Sequence, residues 1–199
     1  MRVTAEKKSA TRKRILEVAA ELFRAHGYDA TTTRDIAVAA EIATGTLFNY
    51  FSTKEAIVGA LADAALVRAR VEQAKIGAES LEEALFALVM AELRQFKPHR
   101  KYIAPLLETR LSPLAESVDP NTGDASRVDH LELVDALARE RNFGELSPVA
   151  LQLYWTLYAG VLAFWAVDKS PKQEDTLALL DESMAMFAGW LRSDHRGSN

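Results

Sequence analysis

The sequence predicts an all-α protein of about nine helices, in two domains. Three observations carry that expectation. Apolar residues recur at three- and four-residue spacing along nearly the whole chain, the pattern of helices with one buried face. Helix starts and stops are written repeatedly, as Thr32 with Asp35, Ser80 with Glu83, Ser147-Pro148 and Ser170-Pro171. Beyond residue 77 the pattern stays helical into the last third of the chain.

The first helix places Ile15, Leu16, Val18, Ala19, Leu22 and Phe23 on one stripe and leaves Arg14, Glu17, Glu21 and Arg24 to solvent. His26-Gly27 closes it, because glycine takes the left-handed conformation at a helix end at little cost. Thr32 caps a second helix that buries Ile36 and Ala37, with Asp35 as the acid of a capping box. A turn at Glu41-Ile42-Ala43 leads into a third helix. There Leu47 and Phe51 face inward, while Thr44, Gly45, Phe48 and Asn49 face out. Ser52-Thr53-Lys54-Glu55 reads as a capping box that opens a fourth helix running to about Lys75. Two short helices joined by a tight turn are how small domains set one helix into the major groove of DNA. The outward face of the third helix suits that task, since an amide bonds a base edge and an apolar edge meets a thymine methyl.

Leu22-Phe23, Gly27-Tyr28, Thr32-Thr33, Ile36-Ala37, Ala40, Gly45-Thr46-Leu47, Tyr50-Phe51 and Lys54 follow one another in a familiar register. Across these fifty or so residues the segment resembles the DNA-binding domain of the TetR family of ligand-responsive transcriptional regulators. The resemblance implies that Thr33, Thr46, Tyr50 and Lys54 hold phosphates, and that Arg34, Thr44, Gly45, Phe48 and Asn49 lie against bases. Three positions depart from the family pattern. Glu41 replaces the usual turn glycine, Ala43 the capping serine, with Thr44 expected to take over the cap, and Phe48 a tyrosine.

Net charge is −4 over 199 residues, which by itself argues against a nucleic-acid partner. Its distribution reverses that inference: residues 1–14 carry +5, residues 1–60 carry +2 and the remainder −6. A basic end on an acidic body is expected where one end meets phosphate. Residues 1–8 read as a flexible basic arm, 1–52 as the DNA-binding helix-turn-helix domain, and 53–199 as a helical domain for ligand binding and dimerisation.

In that second domain Leu81, Leu85, Leu88, Val89 and Leu93 line a helix that stops before Pro98. Pro105 and Pro113 break the stretch 99–118 into a kinked helix or two short ones, and 119–123 is a loop by composition. A helix returns over 124–142. The next, at 148–167, is apolar on every face and free of charge, so it needs two burial partners. The last, near 171–192, carries Leu177, Leu180, Met184, Phe187 and Leu191 on one stripe, with Gln173 completing a capping box with Ser170. The resemblance implies that these two helices pair with those of a second subunit. Ala159, Gly160 and Ala163 would permit close approach, with Trp155, Trp165, Phe187 and Trp190 as anchors. Phe96, His99, Tyr102, Tyr154 and Tyr158 stand on elements that can line a ligand pocket.

Other function classes lose ground on composition. There is no cysteine, so no disulfide, thiolate metal site or cysteine nucleophile. The four histidines show no metal-ligand spacing, and neither a phosphate-cradling glycine loop nor a nucleophile elbow is present. No metal, no cofactor and no enzymatic activity are expected. No apolar run is read as a membrane span, and no signal-peptide core stands at the start, so the expected location is the cytoplasm. The leading expectation is a homodimeric repressor, bound to a palindromic operator in double-stranded DNA and released by an unidentified small-molecule ligand. Two rivals are a helical ligand-binding or enzymatic protein without DNA binding, and a DNA-binding regulator switched by a protein partner.

Overall fold

In the computed structural model, residues 5–102 and 124–197 are described, and every regular element among them is helical. The helices are α1 (Ala5–His26), α2 (Thr33–Ala39), α3 (Thr44–Phe48), α4 (Lys54–Gln73), α5 (Leu81–Phe96), α6 (Asp124–Glu140), α7 (Pro148–Val167) and α8 (Glu174–Gly197). Single 3-10 turns follow α5, at Lys97–His99, and precede α8, at Pro171–Gln173. The kinked segment expected beyond residue 102 and the loop at 119–123 lie outside the described residues. The chain divides into two compact units. Residues 5–64 with 96–102 form the first, and 65–95 with 124–197 the second. The division therefore falls within α4, later than the 52/53 boundary read from the sequence, because Ile57, Val58 and Leu61 of that helix are buried with the first unit.

In the first unit α1 packs on α2, and α2 on α3. Ile15, Leu16, Ala19 and Phe23 form the buried stripe of α1, which begins at Ala5, so Lys7 and Lys8 are helical and not part of a loose arm. Gly27 ends it at φ 87°, its N–H donating to the Phe23 carbonyl at 3.0 Å. The capping box forms as expected. The Asp35 N–H donates to Thr32 Oγ1 at 3.1 Å and the Thr32 N–H to Asp35 Oδ2 at 2.9 Å. At α4 the cap shifts by one residue. Thr53, not Ser52, accepts from the Ala56 N–H, because Glu55 is drawn off to the Tyr28 hydroxyl, 2.6 Å away.

The second unit is built around α7 and α8, which pack along each other, with α6 against α7. Ser80 and Glu83 form the expected box at the start of α5, and Ser147 caps α7 through the Ala150 N–H. Trp155, Trp165 and Phe187 are buried within this one chain, so they cannot anchor a second subunit; Phe187 has no exposed surface at all. Ala159 and Trp190 are half-buried, and Gly160 and Ala163 exposed. Twenty residues long with a mean hydropathy of 1.4, α7 is apolar enough by length and composition to cross a membrane, contrary to the sequence reading. Its composition follows from packing: Tyr154, Trp155, Tyr158, Val161, Leu162 and Trp165 fill the core of the unit.

The turn between α7 and α8 also differs from expectation. Gln173 does not complete a box with Ser170, because Lys172 and Gln173 both take positive φ, 53° and 62°, and turn the chain first. The cap is instead shared: Ser170 Oγ accepts from the Asp175 N–H at 3.1 Å, and Asp168 supplies the rest. Its carboxylate accepts from the Thr176 hydroxyl and N–H and from the Ser170 N–H. Those bonds, Thr176's first, hold the Asp168 carboxyl down at about 2. A carboxyl lowered on folding stabilises the fold fully above its unfolded value, about 3.9, and loses that contribution as pH falls through the folded value. Asp168→Asn should therefore melt at lower temperature than the unmodified protein near neutrality. The two melting curves should draw together as pH falls below about 4 and meet only below about 2, which a series of thermal melts across pH will check.

Candidate nucleic-acid interface

The first unit collects all nine residues implied to meet DNA: Thr33 and Arg34 on the first turn of α2, Thr44, Gly45, Thr46, Phe48, Asn49 and Tyr50 on and just after α3, and Lys54 at the start of α4. The division of faces on α3 is sharp. Leu47 has no exposed surface and Phe51 is buried, whereas Gly45 and Asn49 are exposed and Phe48 shows 47% of its surface to solvent. Arg34 is exposed, and Thr33, Thr44, Thr46 and Tyr50 are half-buried. Sequence reasoning missed Val38 on α2, an apolar side chain left 70% exposed beside this face; its signal was a β-branched residue one helical turn beyond Arg34.

The turn that sets α3 against α2 solves the loss of its glycine by strain. Glu41 itself takes the left-handed conformation, φ 59°. Its carboxylate lies 2.8 Å from the Arg14 guanidinium, whose Nε also donates to the Ala40 carbonyl at 3.3 Å. Ala43 occupies the N-cap of α3 without a side-chain hydrogen bond, and Thr44 does not take over the cap but begins the helix. α3 is thus a five-residue helix held mainly by Leu47 in the core and by the turn before it.

Lys54 is more committed than a free phosphate-binding lysine. Its Nζ donates to the Tyr28 carbonyl at 2.7 Å and the Thr31 carbonyl at 3.1 Å, and sits 3.9 Å from the centre of the Tyr28 ring. One of its three N–H donors remains for another acceptor. Burial, then the Glu55 carboxylate, raises the Tyr28 hydroxyl far above the ordinary phenol value, and the same hydrogen bond lowers Glu55. At the other end of the motif Phe51 lies beneath the Arg12 guanidinium at 5.2 Å.

The five residues expected around a ligand are not gathered in one unit. Phe96, His99 and Tyr102 belong to the first, where the Tyr102 ring packs 5.1 Å from Phe23 and its hydroxyl meets His99 Nδ1. Tyr154 and Tyr158 belong to the second, buried beside two residues that sequence reasoning passed over, Glu92 of α5 and His130 of α6. Their signal was position: Glu92 stands four residues after Leu88 and four before Phe96, and His130 four before Val134, each on a buried stripe.

Residues 15–61 match the family model described as bacterial regulatory proteins, tetR family. The HTH-type transcriptional repressor KstR2 of Rhodococcus jostii is 49% identical over 51 residues, 26% of this chain and 25% of that protein. The match thus spans about a quarter of that relative's length. Similarity of fold extends much further. The crystal structure of Thermus thermophilus FadR, a TetR-family transcriptional repressor in complex with lauroyl-CoA, aligns with a TM-score of 0.69 at 25% identity, over 88% of this chain and 92% of that one. A TetR transcriptional regulator from Nitrosomonas europaea aligns with a TM-score of 0.67 at 22% identity, over 90% and 98%.

The strained turn yields a direct test. A non-glycine residue in the left-handed region costs about 1–2 kcal/mol, while an exposed ion pair such as Arg14–Glu41 contributes at most about 1 kcal/mol. Glu41→Gly should leave the protein as stable as before or up to about 2 kcal/mol more stable, measured by chemical denaturation. A loss of stability would mean that the Arg14 contact outweighs the backbone strain.

Proposed function

This chain belongs to the TetR family of helix-turn-helix transcriptional regulators, and from that premise we propose that it is a repressor that leaves a palindromic operator when a small molecule binds. The observation that carries the DNA-binding half of this reading is the split face of α3, with Leu47 locked inside and Gly45, Phe48 and the C-cap residue Asn49 turned outward. Thr33, Thr46, Tyr50 and the remaining N–H of Lys54 hold backbone phosphates, and Arg34, Thr44, Gly45, Phe48 and Asn49 lie against base edges. The basic side chains of α1, Lys7, Lys8, Arg12 and Lys13, add charge that the acidic second unit lacks. As a family member the protein is a regulator and not an enzyme, and it works in the cytoplasm, where its operator is.

The active species is a homodimer. α7 and α8 leave an apolar surface uncovered, comprising Gly160, Ala163, Phe164 and Val167 on α7 and Leu179 and Met186 on α8. Val167 and Met186 are exposed by 69% and 63%, more than apolar side chains in a lone subunit's favoured state usually are. Small residues at 160 and 163 allow a second copy to approach closely. Ligand binding among the helices of the second unit acts on α4, one uninterrupted helix that starts five residues after α3 and whose residues belong to both units. The likeness to a repressor solved with lauroyl-CoA makes that acyl thioester the first effector to try.

Four outcomes test the reading. Selection from random DNA should return a two-fold symmetric site with half-site centres about 34–36 Å apart, or a multiple of that. On that site Asn49→Ala should relax preference at particular base pairs, at a cost of about 1–3 kcal/mol, read by gel shift against single-base variants. Ala163→Arg should yield monomers in sedimentation velocity and lose operator binding, because it buries an unpaired charge in the interface. Finally, any effector that weakens DNA binding about 5–150-fold must itself bind more weakly to the operator complex by the same factor. Calorimetric titrations with and without operator measure both, and equal affinities would rule out release by ligand.

A further inference from the structure

Residues 76–78, just beyond the end of α4, border a groove together with the start of α5 and the middle of α8, all within the second unit. It is open to solvent and holds about 390 Å³, enough for a small organic compound. Its apolar lining includes Met184, which is buried, Phe86, which is half-buried, and Ile76, which is exposed by 41%. Its polar lining is acidic. Glu82, Glu83 and Asp181 contribute to it, and among the described residues no lysine, arginine or histidine does.

These carboxylates are not equally spent. Glu82 pairs with Arg192 at 2.5 Å, joining α5 to α8. Burial raises the Glu82 carboxyl, but its own backbone N–H and Arg192 outweigh that and hold it below the usual range, so it is charged near neutrality. Its second oxygen, Oε2, is buried without a hydrogen bond of good geometry. Glu83 Oε2 accepts from the Glu79 and Ser80 N–H groups, bonds that leave its charge in place. Asp181 is exposed and has no hydrogen bond or ion pair among the described residues. One arginine thus answers three carboxylates, and the groove carries excess negative charge beside apolar surface. A bare metal ion does not suit it, since among the described residues no three acidic or histidine side chains stand close enough to ligate one. An anion would be repelled. What complements the lining is a single positive charge on an apolar body.

We propose that this groove is where the chain takes up its effector, and that the effector is an organic cation whose charged end lies among Glu82, Glu83 and Asp181 and whose apolar body lies on Ile76, Phe86 and Met184. The proposal rests on the reading that a small molecule controls DNA binding, and it replaces an acyl thioester by a ligand of opposite charge. An occupant held between residues 76–78, α5 and α8 ties the far end of α4 to both helices, and α4 is the helix whose start follows the reading helix.

Phenylbutylammonium, phenylbutanol and phenylbutyrate share one body and differ in head group, while tetramethylammonium carries the charge without that body. In calorimetric titrations of the full chain, phenylbutylammonium should bind at least about three-fold more tightly than any of the other three. Its advantage over the alcohol should shrink as salt rises, because the groove is open and its charges are screened. Asp181→Lys should remove that advantage and leave binding of the alcohol as it was, whereas general damage to the fold would weaken both. At Gly77, which also lines the groove, an added Cβ meets no atom within 4 Å. Gly77→Leu should therefore fold, and should weaken the ammonium and the alcohol together by filling their space. No binding of phenylbutylammonium, equal binding of ammonium and alcohol, or affinities unchanged in both variants would overturn the site. Binding in the expected order that leaves operator affinity unchanged would keep the groove as a cation site and overturn release through it. Conversely, release of the operator by lauroyl-CoA with equal potency on both variants would keep release by ligand and overturn the groove as its site.

Discussion

One ammonium group organises the first unit. Lys54 Nζ reaches back across more than twenty residues of chain to the carbonyls of Tyr28 and Thr31, in the short link between α1 and α2. Glu55, its neighbour, takes the Tyr28 hydroxyl. The link has little apolar surface of its own: Tyr28 and the flanking Asp29 and Ala30 are not buried, and Thr31 is. What fixes its path is therefore polar, a cation donating to two carbonyls and lying against one aromatic face at once. With the link fixed, α2 starts at a defined point, the strained turn at Glu41 aims α3, and Leu47 reaches the core. A reading helix of only five residues could not hold its own direction, since isolated helices need far more than one turn to persist.

The second unit is organised on a different basis. Its helices are joined by area more than by individual bonds, with Trp165, Tyr154 and Phe187 among the largest fully buried side chains of the described residues. Fully burying side chains of the size of leucine or phenylalanine contributes about 1.5–3 kcal/mol each, so the unit can carry a buried carboxylate and imidazole that a smaller core could not. The two units thus place their polar groups to opposite effect. The first uses them at its surface to fix geometry, and the second encloses them where water is scarce and any new partner counts heavily.

Capping boxes were legible because they are local. Thr32 with Asp35, Ser80 with Glu83, and Ser147 ahead of Pro148 all form as read. Local rules failed where a distant group competed. Glu55 was drawn off to Tyr28, and Asp168, not Gln173, became the partner of Ser170 in the turn into α8. Periodicity told which residues of α7 share a face but not which face meets its own unit, so Trp155, Trp165 and Phe187 were read as anchors for a partner when they are core. The α3 face was legible because Leu47 and Phe51 mark its inner side. The partners of Glu92 were not, since His130 is 38 residues away and nothing in the local pattern joins them.

The hairpin of α7 and α8 has a consequence for how the chain folds. The two helices lie close in sequence, and the bonds from Asp168 that reverse the chain between them span at most eight residues. Contacts this local form early, since little loop entropy opposes them. The hairpin therefore takes shape before the segments that meet across longer stretches of chain, with Phe164, Val167 and Met186 already facing water. During that interval the chain is adhesive, and its yield depends on how crowded it is with copies of itself. Rapid overexpression exposes many such hairpins at once, whereas slow synthesis at low temperature lets each complete its own core first.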